Sequence, residues 1–168
     1  GRIDQGDTIT YTFSEPIDPG TILAGWDGSA TNVTVRVFDG DILLGILRVG
    51  DPDSLQVYNA ANNAQLTTLG TVYLGHDNYA SSLLGGLLGS YLRYSNSTMV
   101  MNGNTVTITL GSYSPVGSLL GLDAIGRGTV GGNATLIWLP GSGPKDLAGN
   151  PLGSTSAVSE DGPSDPNF

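Results

Sequence analysis

The sequence predicts an all-β fold, an antiparallel sandwich of eight or so short strands. Three observations lead there. Apolar residues alternate with Thr and Ser in several short runs, the period-two pattern of half-buried strands. Turn residues interrupt the chain often, with 26 Gly and 9 Pro among 168 residues. No stretch makes a convincing amphipathic helix, and nothing suggests βαβ units. A chain of this length is expected to form one domain that buries roughly 70% of its unfolded surface.

The first strand falls in DTITYTFSEP, where Ile9, Tyr11 and Phe13 alternate with Thr8, Thr10 and Thr12. Pro16 and the Asp18-Pro19-Gly20 turn end it. TNVTVRVFDG repeats the design, with Val33, Val35 and Val37 on one face and Thr34, Arg36 and Phe38 on the other. LLGILRVG and SLQVYN are shorter strand candidates, and LTTLGTVYLG is another. The clearest local signal is STMVMNGNTVTITLG. Its Asn102-Gly103 is the dipeptide of a type I′ hairpin, in which both central residues take positive φ. NATLIWLP, with Trp138, gives a late strand and STSAVS a last one. Two Leu/Gly stretches, 81–92 and 117–126, carry too much glycine for long helices and are expected as loops or short turns. SEDGPSDPNF, 159–168, reads as an acidic linker or tail, leaving 1–158 as the sandwich.

Net charge is −9, with one lysine, Lys145, and one histidine, His76. Such a surface repels phosphate backbones and anionic lipid, which argues against nucleic-acid and membrane-surface roles. The lack of cysteine excludes a disulfide framework, thiol catalysis and thiolate metal sites. No apolar run approaches the ~20 residues of a membrane-spanning helix. Only 12% of residues are charged, and polarity rests on Ser, Thr and Asn, as in a secreted β protein. The opening GRIDQGD has no leader pattern, as expected of a mature protein or an excised module.

GDTITYTFSEPIDPGTI near the start and KDLAGNPL near the end resemble the bacterial Ig-like modules of surface proteins, above all the SbsA-type repeats of S-layer proteins and adhesins. The resemblance covers about the first 20 residues and residues 144–152. It implies an Ig-like, Greek-key sandwich in which FSEP(V/I)DP ends an early strand and DLAGN introduces the last one. Such modules run to about 100 residues. A long inserted or extended middle region is therefore expected here, with the Leu/Gly stretches as its obvious candidates.

Calcium is the main cofactor option, because Asp and Asn oxygens suit a hard cation that needs six to eight of them. Asp4, Asp7, Glu15, Asp18, Asp146 and Asn150 lie near motif ends that a sandwich could gather at one pole. The plainer reading is that each Asp closes its own turn. A second acidic group, Asp39 and Asp41 in FDGD with Asp51 and Asp53 in GDPDS, could chelate an ion as a loop pair but is expected as solvated turns. Trp26, in AGWDG, is the candidate ligand-binding aromatic for a carbohydrate, with Tyr73, Tyr79, Tyr91 and Tyr94 in the unmatched middle. The alternative is that Trp26 covers the end of the sandwich while Trp138 fills its core.

An enzyme is not expected. His76 stands alone, and neither a Gly-x-Ser-x-Gly elbow nor a phosphate loop occurs. Lys145, the sole lysine, sits in a turn and is a poor candidate for an isopeptide crosslink. Asn32, Asn96 and Asn133 head sequons that matter only in a glycosylating host. The reading is a non-catalytic structural or adhesive module of an extracellular bacterial surface protein or filament. Its partners would be neighbouring modules or subunits, and its alternative is a carbohydrate-binding module.

Overall fold

Alternation decides which residues go inside. In the computed structural model, Ile9, Tyr11 and Phe13 are buried while Thr8, Thr10 and Thr12 face out. The structure describes residues 1–40, 42–44, 47–49, 52–82, 89–117, 121, 123–151, 156–161 and 168. Their strands are β1 Thr8–Thr12, β2 Thr31–Phe38, β3 Ile42–Leu44, β4 Leu47–Val49, β5 Ser54–Asn59, β6 Thr71–Tyr73 and β7 Ala80–Ser82. There follow β8 Tyr91–Asn102, β9 Thr105–Thr109, β10 Ser112–Val116, β11 Ile125–Arg127, β12 Ile137–Leu139 and β13 Val158–Ser159.

Every pairing among them is antiparallel. The main sheet runs β1-β9-β8-β2-β5-β6-β12-β13, with β10 attached to β8, and β7–β11 and β3–β4 form two small sheets. The main sheet curls until its two ends face each other. Trp138 of β12 meets the rings of Tyr11 and Phe13 edge-on, each at 5.3 Å between centroids. The result is an all-β sandwich, with Val33, Val35, Val37, Leu55, Val57 and Ile108 at its centre.

The long strand β8 serves two partners on one side, β9 along Thr98–Asn102 and β10 along Tyr91–Ser95. A bulge makes the change possible. The register against β2 slips between Val33 and Val35, and Asn96 takes φ 54°. The buried Ser97 Oγ donates to Tyr94 O at 2.9 Å and accepts from Gly111 N at 3.0 Å. A Cβ on Gly111 would stand 2.1 Å from Ser95 O, so only glycine fits where the chain crosses the bulge.

Several elements depart from the sequence reading. The Asn102-Gly103 hairpin forms one residue later: Asn102 pairs with Thr105, so Gly103 and Asn104 are the central residues. Only Gly103 has positive φ, at 63°, the φ pattern of a type II′ turn rather than I′. LTTLGTVYLG divides into a 3-10 turn, Thr67–Leu69, and the short β6. Thr34, expected on the wet face of β2, is buried beside the bulge. Residues 83–88, 118–120 and 122 of the Leu/Gly stretches lie outside the described residues, but Ser81, Ser82, Ile125 and Gly126 pair in the β7–β11 sheet. The expected boundary after residue 158 falls inside β13. Ser159 pairs with Ile137, Glu160 N donates to Leu136 O at 2.9 Å, and Phe168 packs edge-on against Tyr79 at 5.8 Å.

Candidate functional site

The two motifs at the ends of the chain meet. Ile17 bridges to Asp146, and Asp18 N donates to Lys145 O at 2.8 Å. Each aspartate also closes its own turn. Asp18 Oδ1 accepts from Gly20 N at 2.9 Å, capping the 3-10 turn Pro19–Thr21. Asp146 Oδ1 accepts from Ala148 N at 2.9 Å and Asn150 N at 2.7 Å, and its Oδ2 from Asn150 Nδ2 at 2.8 Å. These bonds, the Asn150 side chain first, hold the Asp146 carboxyl below its usual range.

The six expected ligands do not gather at one point. Asp4 and Asp7 lie before β1 and the other four beyond its far end, with five strand residues, about 17 Å, between. Asp4 pairs with Arg127 at 2.6 Å and with Arg2 at 3.2 Å, while Asp7 Oδ2 accepts from Asp4 N at 2.7 Å. Glu15 is exposed. Among the described residues there is no group of three or more His, Cys, Asp or Glu that could hold a metal ion. A single ion bound by all six residues does not fit this arrangement.

The second acidic group corrects the sequence reading. Asp39 and Asp53 are buried, at 6% and 0% exposure, not solvated; Asp41 and Asp51 lie outside the described residues. The reason is β7. One edge of that strand pairs with β11, and along its other edge carboxylates take the place of a neighbouring strand. Asp53 Oδ2 accepts from Ala80 N at 2.7 Å, and Asp39 Oδ2 from Ser82 N at 2.6 Å and Ser82 Oγ at 2.9 Å. Asp53 Oδ1 also accepts from Gly40 N at 3.0 Å. Burial, with the nearby Asp39 charge adding to it, pushes the Asp53 carboxyl up to about 7 against the pull of those amides. Sequence reading passed over a similar buried contact, Ser90 Oγ to Asp123 Oδ2 at 2.8 Å.

Trp26 is 7% exposed, and its Nε1 donates to Ser29 O at 2.6 Å. It packs into the core cluster and presents no open ring face. Tyr79 and Tyr94 are buried as well, and Tyr91 lies against Arg36, whose guanidinium carbon is 4.2 Å from its ring centre and 3.7 Å from that of Tyr58. His76 is half-buried, its ring 6.3 Å from that of Tyr79. Its Nε2 has no hydrogen-bond partner among the described residues.

Trp138 is the indole that borders open space. Where the ends of the main sheet face each other a seam runs beside β1, holding two clefts of about 330 and 410 Å³. Both are lined by Thr12, Trp138, Val158 and Asp161. The smaller reaches back to Thr8 and the larger on to Ser14 and Pro144, so together they follow the whole outer edge of β1. Trp138 Nε1 is engaged with Leu69 O at 2.6 Å, which fixes the indole between the two clefts. Comparison with family models, curated proteins and solved structures finds no match to this chain.

Proposed function

We propose that the chain is a non-catalytic structural or adhesive module of an extracellular bacterial surface protein or filament, with the Ig-like character its end motifs suggest. One observation carries the reading: the N-terminal segment is stitched into the body along its whole length. Gly1 O accepts from Val130 N at 2.8 Å, and Ile3 O from Tyr94 Oη at 2.8 Å and Arg127 Nη1 at 2.9 Å. Residues 8–12 pair in full register with β9, Phe13 N donates to Asn104 O at 2.9 Å, and Asp18 closes the series on Lys145. Most of these partners lie ninety or more positions away in sequence, and Ile3, Ile9, Tyr11, Phe13 and Ile17 are buried in the core, so freeing the segment breaks long-range contacts and exposes that core. That suits a module loaded through its chain ends. If calcium stiffens it, the ion acts at the Asp18–Asp146 pole, in competition with the Asn150 bonds.

Mechanical unfolding pulled through Gly1 and Phe168 tests this reading. The expected trace is one cooperative event, moved to lower force by Arg127→Ala. Early peeling of residues 1–18 at low force would contradict it. The second reading, a carbohydrate-binding module, moves from Trp26 to Trp138, because the flanking clefts have the size of small-ligand sites. Titration with soluble oligosaccharides should then change the Trp138 emission.

A further inference from the structure

We propose that the seam beside β1 takes up one extended strand from a different polypeptide, a segment that alternates apolar and small polar residues and carries a Lys or Arg. The inference rests on the module reading and names the surface through which such a module joins a neighbour.

The outer edge of β1 is built for pairing. Phe13 N donates to Asn104 O, and Tyr11 and Ile9 face Val106 and Ile108 in the same register. Alternate residues of a strand turn their amides to opposite sides, so Thr8, Thr10 and Thr12 direct N–H and C=O groups away from β9. Among the described residues no strand pairs with that side. The edge reads Thr-Ile-Thr-Tyr-Thr, without the Lys, Pro or inward charge that usually protects an open edge. At the opposite wall β13 is a sheet edge too, paired among the described residues only with β12.

The space between the walls selects the occupant. A strand added to β1 would turn alternate side chains towards Trp138, Val72 and Leu136, which requires them to be apolar. Its remaining side chains would emerge beside the threonines. Asp161 lines both clefts where they meet, and neither cleft has a Lys or Arg in its lining. A cationic residue on the incoming strand complements that carboxylate. A second copy of this chain would bring a net charge of −9 and, from its own β1, no cation.

The probe is a nine-residue synthetic peptide of alternating Val and Thr ending in Lys, compared with a Glu-ended counterpart and one with Pro at the Thr positions. The Lys peptide should bind and slow amide exchange at Thr8, Thr10 and Thr12. The Glu peptide should bind about fivefold more weakly at low salt, and the Pro peptide not at all. Thr10→Pro removes one outward donor and no bond to β9, and should weaken binding about threefold to tenfold. Asp161→Lys, which leaves β1 untouched, should reverse the order of the Lys and Glu peptides. Unchanged exchange at the three threonines, equal binding of the Pro peptide, displacement by oligosaccharide, or self-association of the free chain through β1 would each overturn the inference. A chain that binds no peptide yet unfolds in one event under load loses this inference alone, whereas early peeling of residues 1–18 overturns the module reading.

Discussion

Two latches hold this sandwich together, and both use aspartates from turns. The outer latch joins the N-terminal segment to the DLAGN turn. Its cross-chain bond is between backbone groups, Asp18 N to Lys145 O, and the Asp146 carboxylate serves only its own turn at the surface. The inner latch joins β7 to the body through the carboxylates of Asp39 and Asp53 themselves, buried beneath it. Hydration sets them apart. A surface carboxylate keeps its charge and gains from amide donors, so the Asp146 carboxyl lies low. A buried one bonds equally well yet is pushed up to about 7 by desolvation. The two latches should therefore answer pH with opposite signs.

The largest effect is expected from Asp53→Ala. At pH 5.5, where the wild-type carboxyl carries its proton, the change strands the amides of Gly40 and Ala80 and should cost about 2–4 kcal/mol in urea unfolding. Above pH 8 the cost should be smaller, because the wild type then buries a charge that the variant lacks. The wild type itself supplies the next test. Between about pH 4 and 7 the native Asp53 holds a proton that the unfolded chain has released, so stability should fall as pH rises through that window. The fall is at most about 4 kcal/mol and levels off above pH 7. Asp53→Asn should flatten this slope.

Asp39→Ala should cost about 1–3 kcal/mol through Ser82, and should shift the Asp53 slope towards lower pH by removing the neighbouring charge. Asp146→Ala should produce the smallest shift in Tm, and with the opposite pH sign. The contribution of Asp146 is present above the unfolded carboxyl's range and lost as pH falls below it. Melting with millimolar calcium against EDTA sharpens the contrast. A shift abolished by Asp146→Ala would place an ion at the outer latch, and identical melts would leave that latch to hydrogen bonds alone.

Alternation made β1 and β2 legible, because Ile9, Tyr11, Val33, Val35 and Val37 needed only their own neighbours to declare a buried face. The meeting of the two end motifs, where Ile17 bridges to Asp146, was expected only in so far as a sandwich could gather them at one pole. The inner latch was not legible. Asp39 and Asp53 sit in turn-forming sequence, and they are buried because Ala80 and Ser82, 27 and 43 positions further on, lie over them. Local pattern carries no trace of that. The same holds for Trp26 and Trp138: which indole borders a cleft depends on how far the sheet curls. The seam itself comes from strand order, which no short stretch encodes. At the hairpin the signal was present but one residue out, since Gly103 suits the first position of one turn as well as the second of another.

Native-state amide exchange along residues 1–18 tests most directly whether the N-terminal segment belongs to the cooperatively folded body. The amides of Gly6, Phe13 and Asp18, bonded to Leu110, Asn104 and Lys145, are the reporters. We expect them to exchange only through global unfolding, with the same free energy and denaturant dependence as Val35 and Val57 in the core. Exchange through a local opening insensitive to denaturant would contradict the stitched segment, and with it the reading of this chain as a module held by its ends.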